Sequence, residues 1–361
     1  MKNIRVLVVD DSAYNRRAIA GMLKDIGGVE VVGKATDGDE ALRMVSELSP
    51  DLITLDLEMP RMDGFTFLRL LMARRPTPVI VVSGYSQKEN VFRALELGAL
   101  DFVAKPTRTV ASDLSSIQQE LAEKVGMLRH LSPANLDPKH RGMDRGRTAT
   151  QVFQLGTGEP VRRSAPPPVA AAQEDAPLLL IGASTGGPTA LVELFGRLPR
   201  NAQVVVAQHM PERFTKTFAE RLDRISPLRV VEGQDTVRLE PGVAVICPGG
   251  RCVEVAPWGQ GLIARVLPPD ATDRYVPSVD RLFSSGAAAV GERAVAVVLT
   301  GMGDDGAHGV TDVKRLGGTV LAEAPETAVI YGMPGAAVRT GEVDRSLPLR
   351  ALAERIAGLW Q

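Results

Sequence analysis

Residues 178–187 read LLLIGASTGG. Four apolar residues run into a turn of small residues, and a helix-compatible segment, PTALVELFGRL, follows. Strand, tight turn, helix is the unit of an α/β sheet, and it decides the fold class of the second half of the chain. Gly182-Ala183-Ser184-Thr185-Gly186 also fits G-x-S-x-G, the elbow that exposes a serine at the end of a strand. The small residues have a steric reason, because the backbone must turn sharply and leave room beside the hydroxyl. Ser184 would face the N–H groups that open the following helix, which stabilise negative charge. Two readings stay open on this stretch: a nucleophile, or a loop that cradles a phosphate or caps a helix. Partners elsewhere in the chain must choose between them.

Outward from the elbow, the 361 residues are enough for about two domains. Apolar content of 44% and charged content of 24% are ordinary for a globular protein. A net charge of −1 provides no global field to recruit nucleic acid or an acidic membrane. No apolar run is long enough to span a bilayer, so no membrane insertion is expected. The opening MKNIRVLVVDDS meets acidic residues at once and lacks the small-residue cleavage site of a signal peptide. Cys247 and Cys252 are too few for a disulfide framework or a four-ligand zinc site, and read as small residues near a strand end. A cytoplasmic protein is the expectation.

The first domain is expected over 1–131. IRVLVV, VEVVGKA, DLITLDL, PVIVVSG and LDFVAK have strand composition, and each is followed by a helical pattern, the last after Pro106. Five βα units predict an open parallel sheet with helices on both faces, a (βα)5 flavodoxin-like domain that binds ligands at the carboxyl ends of its strands. The chemistry-bearing residues fall there: Asp10 and Asp11 after strand one, Asp56 after strand three, Ser83 at strand four, Lys105 after strand five. Three carboxylates at one mouth repel each other unless a cation sits among them, and Mg²⁺ suits such an oxygen-rich site. Lys105 supplies a point charge and Ser83 a hydroxyl for an incoming phosphoryl group.

The motifs Asp-Asp-Ser, LDLEMPRMDG, VVSGY and DFVAKP resemble the receiver domain of two-component response regulators, over about residues 3–125. That resemblance implies that Asp56 accepts a phosphoryl group from a histidine kinase. It implies a Mg²⁺ site made by Asp11, Asp56 and the Glu58 backbone carbonyl, with Asp10 nearby. It also implies phosphoryl contacts from Ser83 and Lys105, and a switch role for Phe102.

Pattern disappears over 132–176, which is rich in Pro, Gly, Arg and Ala and predicts a flexible linker, stiffer at Pro166–Pro168. Its basic cluster of Lys139, Arg141, Arg145 and Arg147 has no aromatic platform beside it and reads as solvated, so no nucleic-acid partner is expected.

The second domain is expected over 177–361 as a doubly wound, mostly parallel α/β fold. VAVICPGG, CVEVAPW and LIARVLPP, separated by Gly/Pro turns, predict a small antiparallel excursion with a hairpin, and the tail LPLRALAERIAGLW predicts an amphipathic helix on the sheet. Of the four histidines, His209 ends the strand after the elbow and His308 lies in GDDGAHG at a helix start. Strand AVAVVLT ends in Gly301-Met302-Gly303-Asp304-Asp305-Gly306. Serine, histidine and aspartate therefore converge on one sheet edge, the constellation of nucleophilic acyl transfer. His209 is the better-placed base and His308 the rival. The order Ser…His…Asp differs from that of α/β-hydrolases.

GASTGGP, AQHMP-x-RFT-x-x-FA-x-RL, PSVD-x-LF, LTGMG-x-DGA and YGMPGAA together resemble the catalytic domain of the chemotaxis protein-glutamate methylesterase/glutaminase (CheB) family. With the receiver in front, the likeness covers nearly the whole chain except the linker. It implies a phosphorylation-activated serine hydrolase that demethylates glutamate methyl esters and deamidates glutamines on chemoreceptors, with no cofactor for ester hydrolysis itself. Ser184 becomes the nucleophile, His209 its base and Asp305 the orienting acid, with Asp304 in a variable slot. Thr185 and Met302 line the site, and the Met302 amide matches an oxyanion donor. Where the family often has arginine before PSVD this chain has Val276, and Arg274 is the candidate substitute. The long tether suggests an unphosphorylated receiver covering the Ser184 cleft. Two competing classes are a dinucleotide-binding domain, disfavoured because the spacing is not G-x-G-x-x-G, and a phospho-dependent binding module without catalysis.

Overall fold

The computed structural model describes residues 3–84, 88–105, 111–131 and 176–360. The chain divides into two compact units, with the division between Arg141 and Gly142. The expected linker, with Lys139, Arg141, Arg145, Arg147 and the Pro166–Pro168 patch, lies outside the described residues except for Ala176.

The first unit alternates β1 (Ile4–Val9), α1 (Ala13–Lys24), β2 (Val29–Ala35), α2 (Gly38–Leu48), β3 (Leu52–Leu55), α3 (Gly64–Arg74), β4 (Val79–Ser83), α4 (Lys88–Glu96), β5 (Asp101–Ala104) and α5 (Ala111–Gly126). The strands pair in the order β2-β1-β3-β4-β5, all parallel. β3, β4 and β5 are buried at every position, as strands covered by helices on both faces must be. Side-chain caps start the helices where the sequence has Asx or Ser: Ser12 accepts from Asn15 N–H, Asp37 from Glu40 N–H and Asp63 from Thr66 N–H.

The second unit contains β6 (Leu178–Ala183), α6 (Gly187–Phe195), β7 (Gln203–Gln208), α7 (Glu212–Ile225), β8 (Arg229–Glu232), β9 (Thr236–Leu239), β10 (Val243–Ile246), β11 (Cys252–Trp258) and β12 (Gly261–Leu267). It continues with α8 (Val279–Val290), β13 (Ala294–Val298), α9 (Ala307–Arg315), β14 (Thr319–Glu323), α10 (Met333–Arg339), β15 (Arg345–Leu347) and α11 (Leu349–Ala357). Seven strands form a parallel sheet in the order β15-β14-β13-β6-β7-β10-β8. Leu178, Leu180, Val205, Val298, Phe283 and Leu282 belong to its main core cluster.

The expected antiparallel excursion is present with altered membership. VAVI does not join it: β10 pairs in parallel with β7 and β8 in the main sheet. All four of its residues are buried, which fits an interior strand and not a half-wet hairpin. The antiparallel sheet is three-stranded, β11-β12-β9. Its third strand, Thr236–Leu239, has two residues exposed and one half-buried, too polar to read as a strand. The expected tail helix is α11, which buries Leu349, Leu352, Ala353 and Ile356 on one side.

Candidate functional site

At the carboxyl edge of the first sheet, one carboxylate oxygen each from Asp10, Asp11 and Asp56 lies within 4.8 Å of the others. Lys105 Nζ lies 2.6 Å from Asp56 Oδ2 and 3.7 Å from Asp10 Oδ2. Burial pushes the Asp56 carboxyl up to about 6, with the Lys105 ammonium pulling it back. Asp10 is also raised, chiefly by burial, and its Oδ2 is a buried atom without a hydrogen-bond partner. A compact carboxylate set with one orphaned buried oxygen fits a hard divalent cation. Glu58 N–H donates to Asp56 Oδ1 at 3.3 Å. Ser83 is fully buried at the end of β4, and Lys105 N–H donates to its carbonyl. Phe102 is buried, edge-on to Phe92 at 6.3 Å, with Lys124 Nζ 5.0 Å from its ring centroid.

The second sheet brings its three loops together through strand register. Ala183 is opposite Gln208, and Gly182 is opposite Val298. Ser184 and His209 therefore leave adjacent strands at the same level, with the 299–306 loop on the other side of Ser184. Backbone bonds lock the loops: Ser184 N–H donates to the Thr300 carbonyl at 3.0 Å and His209 N–H to the Ala183 carbonyl at 3.0 Å. The buried Gln208 carboxamide donates to the carbonyls of Ser184 (3.0 Å) and His209 (2.9 Å). Thr300 Oγ1 donates to the Thr185 carbonyl and accepts from Ile330 N–H, while Thr300 N–H donates to the buried Glu323 carboxylate at 2.8 Å.

Asp305 is 1% exposed, and its carboxylate takes three donors. His209 Nε2 lies 2.8 Å from Oδ2, Val279 N–H donates to Oδ2 at 2.8 Å, and Asp280 N–H donates to Oδ1 at 3.0 Å. The start of α8 thus fixes Asp305, and Asp305 fixes the imidazole. Asp304 faces elsewhere, accepting from Tyr275 Oη (2.8 Å) and Arg274 Nη1 (3.0 Å). His308, the rival base, is exposed on α9 and lies near Asp280. Arg274, the candidate substitute at the valine position, is engaged with Asp304, and Val276 itself is 37% exposed. Thr185 is buried, and Met302 is half-buried between Gly301 and Gly303. A polar cavity of about 610 Å³ opens on the Asp305 side of the loops, lined by Tyr275, Ser278, Asp304 and His308 among others.

Sequence reasoning missed Gln208, Thr300, Glu323 and Tyr275. All four lie at strand ends or in a loop beside a recognised motif, and their partners are distant in the chain. Gly301 is a further dependency: a Cβ there would lie 2.4 Å from Met333 Sδ and 2.7 Å from Ser184 Cβ. Gly301→Ala must push both aside. We expect a loss of about 1–3 kcal/mol in thermal unfolding, together with a fall of at least about tenfold in turnover from a displaced Ser184.

These two sheet edges define a response regulator whose output domain is an enzyme. Residues 6–113 match the response regulator receiver domain model, and residues 179–356 match the CheB methylesterase model. A protein-glutamate methylesterase/protein-glutamine glutaminase of Geobacter sulfurreducens is 48% identical, over 99% of this chain and 97% of that protein. One of Myxococcus xanthus is 46% identical, over 99% of this chain and 97% of that protein. The crystal structure of the Thermotoga maritima CheB methylesterase catalytic domain is 37% identical, with a TM-score of 0.49, covering 51% of this chain and 98% of that one. The chain belongs to the CheB methylesterase family, with a receiver domain in front of the methylesterase domain. Among the described residues no helix is long and apolar enough to cross a membrane.

Proposed function

We propose that this chain hydrolyses glutamate methyl esters on chemoreceptors, and deamidates receptor glutamines, through Ser184, His209 and Asp305. The observation that carries it is the 2.8 Å His209 Nε2–Asp305 Oδ2 bond one strand away from Ser184. With Nε2–H donating to Asp305, His209 Nδ1 is the nitrogen left with a lone pair. Ser184 Oγ attacks the γ-carbonyl carbon while Nδ1 takes its proton. Amides at the elbow and at Met302 hold the oxyanion. The tetrahedral intermediate collapses, its C–O bond to the methoxy group breaks, and methanol leaves with the proton from Nδ1. Water then gives a proton to Nδ1 and adds to the acyl carbon; this second tetrahedral intermediate collapses, its C–Oγ bond breaks, and Nδ1 returns the proton to Ser184 Oγ, releasing glutamate. With glutamine, ammonia leaves in the same step.

Asp56 is the proposed phosphoacceptor from a histidine kinase, with Ser83 and Lys105 on the phosphoryl oxygens and Phe102 as the responding aromatic. Asp10, Asp11 and Asp56 would hold Mg²⁺, with the Glu58 carbonyl as a further ligand. Bound Mg²⁺ supplies positive charge to offset the crowding of phosphoryl and carboxylate oxygens. The test is methanol release from membranes carrying methylated chemoreceptors, with and without acetyl phosphate and Mg²⁺. Release that rises with the phosphodonor in wild type and not in Asp56→Asn supports phosphorylation control. Release indifferent to the phosphodonor in both proteins sinks it.

A pH dependence follows from the raised carboxyls. Mg²⁺ needs Asp56 ionised, and its folded value is raised to about 6. Above that value a carboxylate is ready, and below it each bound proton must leave first. Calorimetric Mg²⁺ affinity should be flat above about pH 7 and fall about tenfold per pH unit below pH 6. An affinity unchanged down to pH 5 would rule the Asp56 carboxylate out as a ligand.

A further inference from the structure

His209 is held at its edge by Asp305 and on its face by a second aromatic ring. Tyr275 stacks on the imidazole, with ring centroids 5.4 Å apart and planes 11° from parallel. Tyr275 is itself fastened on several sides. Its hydroxyl donates to Asp304 Oδ1 at 2.8 Å, and Arg274 Nη1 donates to the other oxygen of that carboxylate at 3.0 Å. The Arg274 guanidinium carbon lies 5.2 Å from the Tyr275 ring centroid. Gly303, at φ +89°, passes so close that a Cβ would lie 2.6 Å from the Tyr275 hydroxyl oxygen. A glycine in the left-handed region is what lets this loop close over the phenol. The Tyr275 hydroxyl holds Asp304 below the usual carboxylate range, and burial raises the Tyr275 phenol, so the donor stays protonated and the acceptor ionised.

One hydrogen bond at Nε2 sets a direction and leaves the imidazole free to swing about it. A stacked ring sets the plane. We infer that Tyr275 is a positioning residue for His209: its ring holds the imidazole plane so that Nδ1 faces Ser184, and its π-face favours the imidazolium that forms when Ser184 loses its proton. The role rests on Ser184, His209 and Asp305 being the catalytic set. Asp304, outside that set, acts here as the clamp on Tyr275, and Arg274 as the clamp's second arm. The charged and titratable groups around His209 and its direct partners are Asp305 and Asp304 before α9, Tyr275 and Arg274 before α8, Asp280 in the first turn of α8, and His308 beside Asp280. Removing the phenol ring takes away a neutral π-face and leaves every one of those formal charges in place.

The test compares full-length wild type, Tyr275→Phe and Tyr275→Leu, each with Mg²⁺ and acetyl phosphate, on membranes with labelled receptor methyl esters. Tyr275→Leu should lower kcat about 30-fold with KM within about threefold, and move the acid limb of kcat down by about half a pH unit. Tyr275→Phe keeps the ring and should stay within about threefold of wild type with the limb unmoved. A parallel NMR titration of the His209 ring in full-length Ser184→Ala, with and without Tyr275→Leu, should show the same downward move without any turnover. If Tyr275→Leu fails to fold, Tyr275→Met, a flexible apolar side chain that fills the space without a ring, carries the same comparison with all charges kept, and should show the same fall and the same limb movement. The assignment is overturned if Tyr275→Leu leaves kcat and limb in place, or if Tyr275→Phe falls as far as Tyr275→Leu. Methanol release by Ser184→Ala at the wild-type rate would instead remove the triad, and the NMR midpoint would still decide whether Tyr275 bears on His209.

Discussion

Asp305→Asn is expected to lower kcat for methanol release roughly 10⁴-fold, with KM little changed. The carboxylate accepts three donors: His209 Nε2, Val279 N–H and Asp280 N–H. An asparagine has one acceptor oxygen and one NH₂ group. If its oxygen takes the Oδ1 place it still accepts from Asp280 N–H, and its NH₂ in the Oδ2 place faces Val279 N–H and the imidazole and donates to Nε2. The proton then sits on Nδ1, the nitrogen that must be free to accept from Ser184. If the amide turns the other way, its oxygen keeps His209 Nε2 and Val279 N–H, and only Asp280 N–H loses its acceptor, at about 1–3 kcal/mol. Either orientation leaves one backbone N–H at the start of α8 without its acceptor, and the first also fixes the wrong tautomer. Asp304→Asn, one residue away, should fall less than about tenfold, because an asparagine oxygen can still accept from Tyr275. Steady-state release of labelled methanol separates the two variants. Equal losses at both positions would show that the orienting role is shared or misassigned.

Ser184→Ala is expected to remove about 10⁴- to 10⁶-fold of turnover while the protein folds as before. Ser184 is held through its backbone: its N–H donates to Thr300, and its carbonyl accepts from Gly187 N–H and from Gln208. None of these bonds involves the hydroxyl, so alanine keeps the elbow and loses only the attacking oxygen. Circular dichroism and the melting temperature should match wild type, and acetyl phosphate should still label Asp56. Turnover within tenfold of wild type would mean that another group attacks the ester. Full phospho-labelling without methanol release is the pattern that separates a lost nucleophile from a lost fold.

Much of this molecule was legible in the linear chain because its signals are local. The all-buried strands β3 and β6 are short apolar runs with turn residues after them. Asp56 and Lys105 could be placed on one edge because parallel strands all end there. Ser184 and His209 could be paired for the same reason. Strand β10 was misplaced, since a four-residue apolar run looks the same in a hairpin and in a sheet interior, and its partners lie about 15 and 40 residues upstream. Tyr275 carried no signal: a tyrosine in a polar loop is common, and the imidazole it covers is distant in sequence.

By itself, the sequence determined the two α/β domains, the candidate phosphoacceptor and the serine elbow, because backbone alternation and turn chemistry act over a few residues. The motif resemblance already chose Asp305 over Asp304; only the tertiary structure decided that Nε2 is the nitrogen engaged and that Tyr275 stacks on the ring. Those outcomes depend on which way neighbouring side chains point once α8 and the 299–306 loop are packed. The physical reason for Asp305 over Asp304 is also tertiary: the N–H groups of Val279 and Asp280 reach only Asp305.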